Sequence, residues 1–174
     1  MNDALSTRTR RLVADAVARL ESSGARTEAW AEFIEERRVL LITRPASMRP
    51  LGRVWRLGSL LLEPTGGVHA TGRITRAAEE TTRGFTSVSA RLRDAERNAA
   101  ARGGFQQGET VNFDTVPVPL DEDALRAGAG PLFVRGDDVM VRWSSTLGDD
   151  SAIELEAFLA DRVGLLVDPP KGAT

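Results

Sequence analysis

The chain has 174 residues, 41% of them apolar, with no cysteine, no tyrosine, one histidine and one lysine, and a formal net charge of −2. That size suits one ordinary domain, which would bury about 70% of its unfolded surface. The composition excludes wholesale disorder, disulfides and thiolate metal sites, and the apolar runs are far short of the roughly 20 residues that span a bilayer.

Arginine outnumbers lysine 22 to 1, as G+C-rich coding favours. Residues 1–102 hold 18 Arg against 12 Asp+Glu, and residues 103–174 hold 5 Lys+Arg against 13 Asp+Glu. Such asymmetry marks either an interaction surface or two halves, or two copies, that associate. The isoelectric point near 5.6 argues against a nucleic-acid binder, for which a basic domain is expected. Asp3, Arg8, Arg10, Arg11, Asp15 and Arg19 lie where a secretory signal would place an apolar run, so the expectation is a cytoplasmic protein without membrane partners.

In chain order, Leu12, Val13, Ala16, Val17 and Leu20 make one helical stripe over about Leu5 to Ser22, stopped by Gly24. Thr27 as N-cap, Glu28 in the first turn, and Trp30, Phe33 and Ile34 on one side predict a second helix and hence a helical hairpin. Arg38 to Thr43 reads as a buried strand ended by Pro45. Arg53 to Glu63 and Val68 to Arg76 flank Pro64-Thr65-Gly66-Gly67 as a long hairpin. With a four-residue loop, Glu63 faces Val68, and Arg56, His69, Thr71 and Arg73 share a face with Leu60 and Leu62. A register error of one residue would reassign every partner.

Residues 77–86 read as loop, and Ser87 to Arg102 as a helix with the stripe Val88, Leu92, Ala95 and Ala99, stopped by Gly103-Gly104. Glu109 to Val118 is a strand whose prolines, Pro117 and Pro119, put its end at an edge. Asp121 to Ala127 is a short capped helix. Leu132 to Arg135 and Asp138 to Trp143 flank the turn Gly136-Asp137. Ser151 and Glu154 fit a capping box for a last helix, with Ile153, Phe158 and Leu159 buried, before a mobile tail over 168–174. The expected fold is α+β: a mainly antiparallel sheet of about six strands, an N-terminal helical hairpin and a C-terminal helix, in a single domain over 1–174.

Much chemistry is excluded. One histidine cannot build a multi-histidine zinc site, and Lys171 near the chain end is a poor Schiff-base residue and sits in no phosphate loop or serine–lysine pair. There is no G-x-G-x-x-G or G-x-S-x-G, so no cofactor is expected.

Three constellations remain. Arg44, Arg49, Arg53, Trp55, Arg56, His69, Arg73 and Arg76 form a basic segment in which Arg56, His69, Thr71 and Arg73 would bind an anionic small molecule or acidic peptide; the alternative is a solvated sheet face. The clusters Asp121-Glu122-Asp123, Asp137-Asp138 and Asp149-Asp150 could hold a divalent metal or serve a hydrolase or lyase, although helix starts and turns favour acids for structural reasons. His69 is the only base for a serine triad, a requirement too easily met to carry information. Trp30, Trp55 and Trp143 read as core. A homo-oligomer joined through basic and acidic regions is the third functional class.

The stretch RVWRLGSLLLEPTGGVHATGRITRA, from Arg53 to Ala77, resembles a central signature of short uncharacterised proteins of G+C-rich bacteria. The resemblance implies no activity and transfers no site.

Overall fold

The computed structural model describes residues 4–39, 41–78, 87–144 and 146–170. The expected loop lies outside these residues from 79 onward, and the expected tail from 171 onward. The elements are α1 (Ala4–Ser22), β1 (Glu28–Ile34), β2 (Arg37–Val39), β3 (Ile42–Arg44), β4 (Ser47–Leu57), β5 (Leu60–Leu62), β6 (Val68–Ala70), β7 (Arg73–Arg76), α2 (Val88–Arg102), β8 (Thr110–Phe113), β9 (Val116–Pro117), α3 (Glu122–Ala127), β10 (Leu132–Arg135), β11 (Asp138–Val141), a 3₁₀ turn (Asp149–Ser151), β12 (Ile153–Glu154) and α4 (Leu155–Val167). The class is α+β, with helices near both ends as expected.

The chain divides into two compact units. The first comprises Met1–Thr27, Val54–Thr71 and Val116–Thr174; the second comprises Glu28–Arg53 and Gly72–Thr115. Strand β4 gives its last four residues, 54–57, to the first unit and the rest to the second.

In the first unit, strands follow the order β4-β5-β6-β9, with antiparallel ladders between β4 and β5, β5 and β6, and β6 and β9. A second ladder runs β10-β11-β12. The core joins the α1 stripe (Val13, Ala16, Val17, Leu20) to Trp55, Leu57, Leu62 and, from α4, Phe158, Leu159 and Val163. The Trp55 indole N–H donates to Ala25 O at 3.1 Å, which fixes the chain as it leaves α1. Gly58 and Ser59 interrupt the long strand expected from Arg53 to Glu63. Leu57 pairs with Leu60, and Gly58 takes φ 67°, a conformation that disfavours any residue with a Cβ.

In the second unit, the order is β7-β8-β1-β4. Strand β8 is antiparallel to β7 but parallel to β1, so the sheet is mixed and not mainly antiparallel. The expected second helix is β1. Its burial alternates at Ala29 and Ala31, while the Trp30 indole donates to Thr115 Oγ1 at 3.0 Å. The expected buried strand at 38–43 is instead the exposed two-stranded hairpin β2–β3.

Helix α2 has the expected bounds, N-capped by the Ser87 hydroxyl, which accepts from Ala90 N at 3.2 Å. Its stripe differs: Val88 and Leu92 are exposed, while Glu96, Ala99 and Ala100 are buried. Ala99 and Ala100 join a core with Met48, Val111 and Phe113. The hairpin β10–β11 turns at Gly136-Asp137 as expected, and Asp121 caps α3. The expected capping box does not form: Ser151 ends the 3₁₀ turn, and Ile153 and Glu154 pair with β11.

Gly103 shows how tightly α2 seats. A Cβ there would collide with the carbonyl oxygen of Met48. Gly103→Ala should therefore lower stability by about 1–3 kcal/mol, a fall in Tm of roughly 3–10 °C. Gly164, inside α4 with open space around it, should behave oppositely: Gly164→Ala should stabilise by about 0.5–1 kcal/mol. Thermal unfolding followed by circular dichroism reads both. A Gly103→Ala melt superimposable on wild type would show that the helix end seats without that constraint.

Candidate functional site

The anion-binding residues expected on one hairpin face are divided by the fold. Leu62 pairs with Val68, so the loop between β5 and β6 has five residues rather than four. Arg56 then pairs with Leu61, and Leu61 with His69, which keeps Arg56 and His69 on one face with the β5 strand between them. Thr71 lies just beyond β6, its backbone N–H donating to Ser59 O at 3.1 Å. Arg73 lies in the second unit on β7, which pairs with β8 and not with β5. It is paired there with Glu96, stands 3.5 Å from Asp114 and caps the Phe113 ring at 5.2 Å.

His69 is 7% exposed, and its Nε2 lies 2.6 Å from Glu63 Oε1. The other Glu63 oxygen accepts from the Thr65 hydroxyl at 3.1 Å. This carboxylate–imidazole pair ties the β5–β6 loop to β6, a structural use for the one histidine.

The acidic clusters are also engaged in structure. Asp121 Oδ1 accepts from Ala124 N at 2.9 Å, and Glu122 pairs with Arg126 one turn on. Asp138 pairs with Arg8 at 3.0 Å. Asp149 takes a two-pronged contact from Arg142, at 2.6 Å from Nε and 3.0 Å from the terminal nitrogen. Among the described residues, no group of three or more His, Asp or Glu is placed to hold a metal ion. Of the tryptophans, Trp143 is half-exposed rather than core, its indole donating to Ser151 O at 2.8 Å.

Two cavities lie outside the expected set of residues. The first lies in the second unit, about 390 Å³, between β7 and α2. Arg76, Arg93 and Arg97 line it with Glu28, Glu96 and Thr110. Arg93 and Arg97 are one helical turn apart, so they project together, and Glu96 sits between them. Both carboxylates are engaged. Glu28 accepts from the Asn112 amide at 2.7 Å, and Glu96 is paired with Arg73. Among the described residues, the side chains of Arg76 and Arg93 have no hydrogen-bond or ion-pair partner, while the Arg97 side chain has only a long contact to Asp94 at 3.9 Å. Sequence reasoning found Arg76 and missed Arg93 and Arg97; their i, i+4 spacing about Glu96 was the available signal.

The second cavity lies in the first unit, about 470 Å³, and is walled by Pro117, Pro119, Pro131, Ala124, Ala127 and their neighbours. Arg142 holds the wall at 128–130, donating to Gly128 O at 2.8 Å and Gly130 O at 2.6 Å while stacking 4.2 Å from the Phe133 ring centroid. No family model, curated protein or solved structure matches the chain.

The Arg142–Asp149 pair gives a pH signature. The hydrogen bond from Arg142, with the charges of Arg142 and Arg135 adding, holds the Asp149 carboxyl below its usual range against a smaller opposing effect of burial. A depressed carboxyl contributes stability above its ordinary pKa and loses it as pH falls through the folded value. Asp149→Asn should therefore lower Tm at pH 7 and leave it close to wild type near about pH 2. Equal differences at both pH values would assign the loss to packing instead of charge.

Proposed function

We propose that the second unit binds a small anionic molecule in the cavity between β7 and α2. The reading rests chiefly on one observation: Arg76, Arg93 and Arg97 line one cavity in which both carboxylates already have partners. Three guanidinium groups at one concavity repel each other and gain most from a ligand carrying phosphate or carboxylate. The cavity volume of about 390 Å³ falls in the range of small-molecule sites, roughly 300–1,000 Å³. The Thr110 hydroxyl adds a neutral donor on the same wall. Arg73 is better read as a support than as a contact, because it neutralises the buried Glu96. Removing it would leave that carboxylate uncompensated.

Pyrophosphate and citrate are suitable probes, titrated calorimetrically at low salt. Wild type should bind one equivalent with an affinity that falls as salt rises. Arg76→Ala/Arg93→Ala should weaken binding at least about tenfold, since charge-assisted contacts contribute roughly 1.5–3 kcal/mol each. Arg91→Ala, on the same helix but outside the cavity, should bind as wild type does. Absence of binding to either probe, or equal affinity in the double variant, would defeat the reading.

A further inference from the structure

The two carboxylates of the cavity between β7 and α2 are not equivalent. Glu96 is neutralised by Arg73. Glu28 is half-buried, and its Oε2 accepts at 2.7 Å from the Asn112 amide, a neutral group that cancels no charge. Among the described residues Glu28 makes no ion pair, although Arg76, Arg93 and Arg97 line the same cavity. The sheet keeps Glu28 and Arg76 apart. Arg76 pairs with Thr110 at the start of β8, and β8 runs parallel to β1 with Val111 beside Ala29, so Thr110 stands between Arg76 and Glu28. Two strand spacings, about 10 Å, separate their backbones. Helix α2 packs against β7 and brings Arg93 and Arg97 to the Arg76 side. The cavity thus has a cationic side and a separate anionic one. Thr110 and Ile74, which is 46% exposed, complete its wall.

Resting on the anion-binding reading above, we infer that the ligand is a small phosphomonoester bearing an amino group, its phosphate toward Arg76 and Arg93 and its ammonium toward Glu28. Charge balance selects this class. Arg73 and Glu96 cancel each other, and Arg97 has Asp94 nearby. Two uncompensated guanidinium groups, Arg76 and Arg93, are then left with one uncompensated carboxylate, Glu28. A phosphomonoester carries about −1.5 to −2 at neutral pH. Joined to one ammonium, it complements the cavity in total charge and in its distribution. Guanidinium groups arriving from a strand and a helix each seek a two-pronged contact, which the three terminal oxygens of a phosphate meet better than the two of a carboxylate. The ammonium brings N–H donors to Glu28 Oε1, the oxygen that Asn112 does not use. A ligand made of phosphate alone would set an anion against Glu28. Ile74 gives the spacer between the two charges an apolar surface, which suits a short aliphatic chain.

Calorimetry on the full chain at low salt separates this class from anion binding in general. The probes are O-phosphoethanolamine, propyl phosphate, in which a methyl group replaces the ammonium, and pyrophosphate. Wild type should bind phosphoethanolamine at least about fivefold tighter than propyl phosphate, a comparison that needs no variant. Glu28→Gln removes the charge and keeps an acceptor for Asn112. It should bind the two monoesters equally, and pyrophosphate as tightly as wild type or tighter; a thermal melt checks that it folds. Pyrophosphate binding without a preference between the monoesters in wild type would overturn the amine assignment and leave the anion site standing. A preference that survives in Glu28→Gln would also overturn it, by placing the ammonium against another group. Loss of pyrophosphate binding in a folded Glu28→Gln would do the same, by giving Glu28 a role in placing the arginines. Binding of none of the three probes to wild type would defeat both this inference and the anion site it rests on.

Discussion

What the second unit can offer a ligand depends on how closely α2 approaches its strands. The contact is made by residues with almost no side chain: Ala99 and Ala100, fully buried, and Gly103, which has no room for a Cβ beside Met48 O. Anchoring the last turns of a helix also fixes its rotation. Ala100 lies seven residues beyond Arg93 and three beyond Arg97, so all three fall along one side. Seating the alanines therefore carries Arg93 and Arg97 toward β7. The same rotation buries Glu96, which Arg73 neutralises. A larger residue at 99, 100 or 103 would move the arginines as a set.

Abundance of arginine did not locate the candidate site. Several of the arginines the sequence made prominent are already committed: Arg49 to Glu32, Arg53 to Glu109, and Arg73 to Glu96 and Asp114. An exposed pair such as Arg49–Glu32 adds little to stability, typically about 0–1 kcal/mol, but it cancels charge locally. What distinguishes Arg76 and Arg93 is the prior engagement of the acids around them. For Glu28 that engagement depends on Asn112, a fully buried amide that also donates to Ala29 O at 3.2 Å. Neither Asn112 nor Glu28 stands out in the sequence, because their roles arise from the parallel pairing of β1 with β8.

Elements whose signals are local were legible. The α1 stripe, the Asp121 cap and the Gly136-Asp137 turn each needed only neighbours in sequence. Strand β1 was not, because two patterns overlap in it. Trp30, Phe33 and Ile34 recur at helical spacing, and the Thr27-Glu28 start resembles a cap, yet the buried positions are the alternating Ala29 and Ala31. Small residues carry little weight in a hydrophobic pattern, so the true face was hidden by the large side chains of the other. The site failed for a related reason. The segment from Arg53 to Arg76 is four strands, not two, and its last strand pairs with residues nearly forty positions away. No local signal marks such a change of partner at Gly72. Arg56 and His69 kept a common face, while Arg73 did not join them.

Small residues do two opposite things in this chain, and the difference lies in what lies opposite them. Beside Met48, alanine and glycine let backbone approach backbone and close the space completely. Beside α3, alanine, glycine and proline face each other across a gap that none can fill, and Arg142 pins the wall so that it cannot collapse inward. Arg142 supplies the rigidity through a guanidinium that satisfies two carbonyls, one carboxylate and one ring face at once. Lysine, with a single nitrogen, could not hold all four in that geometry.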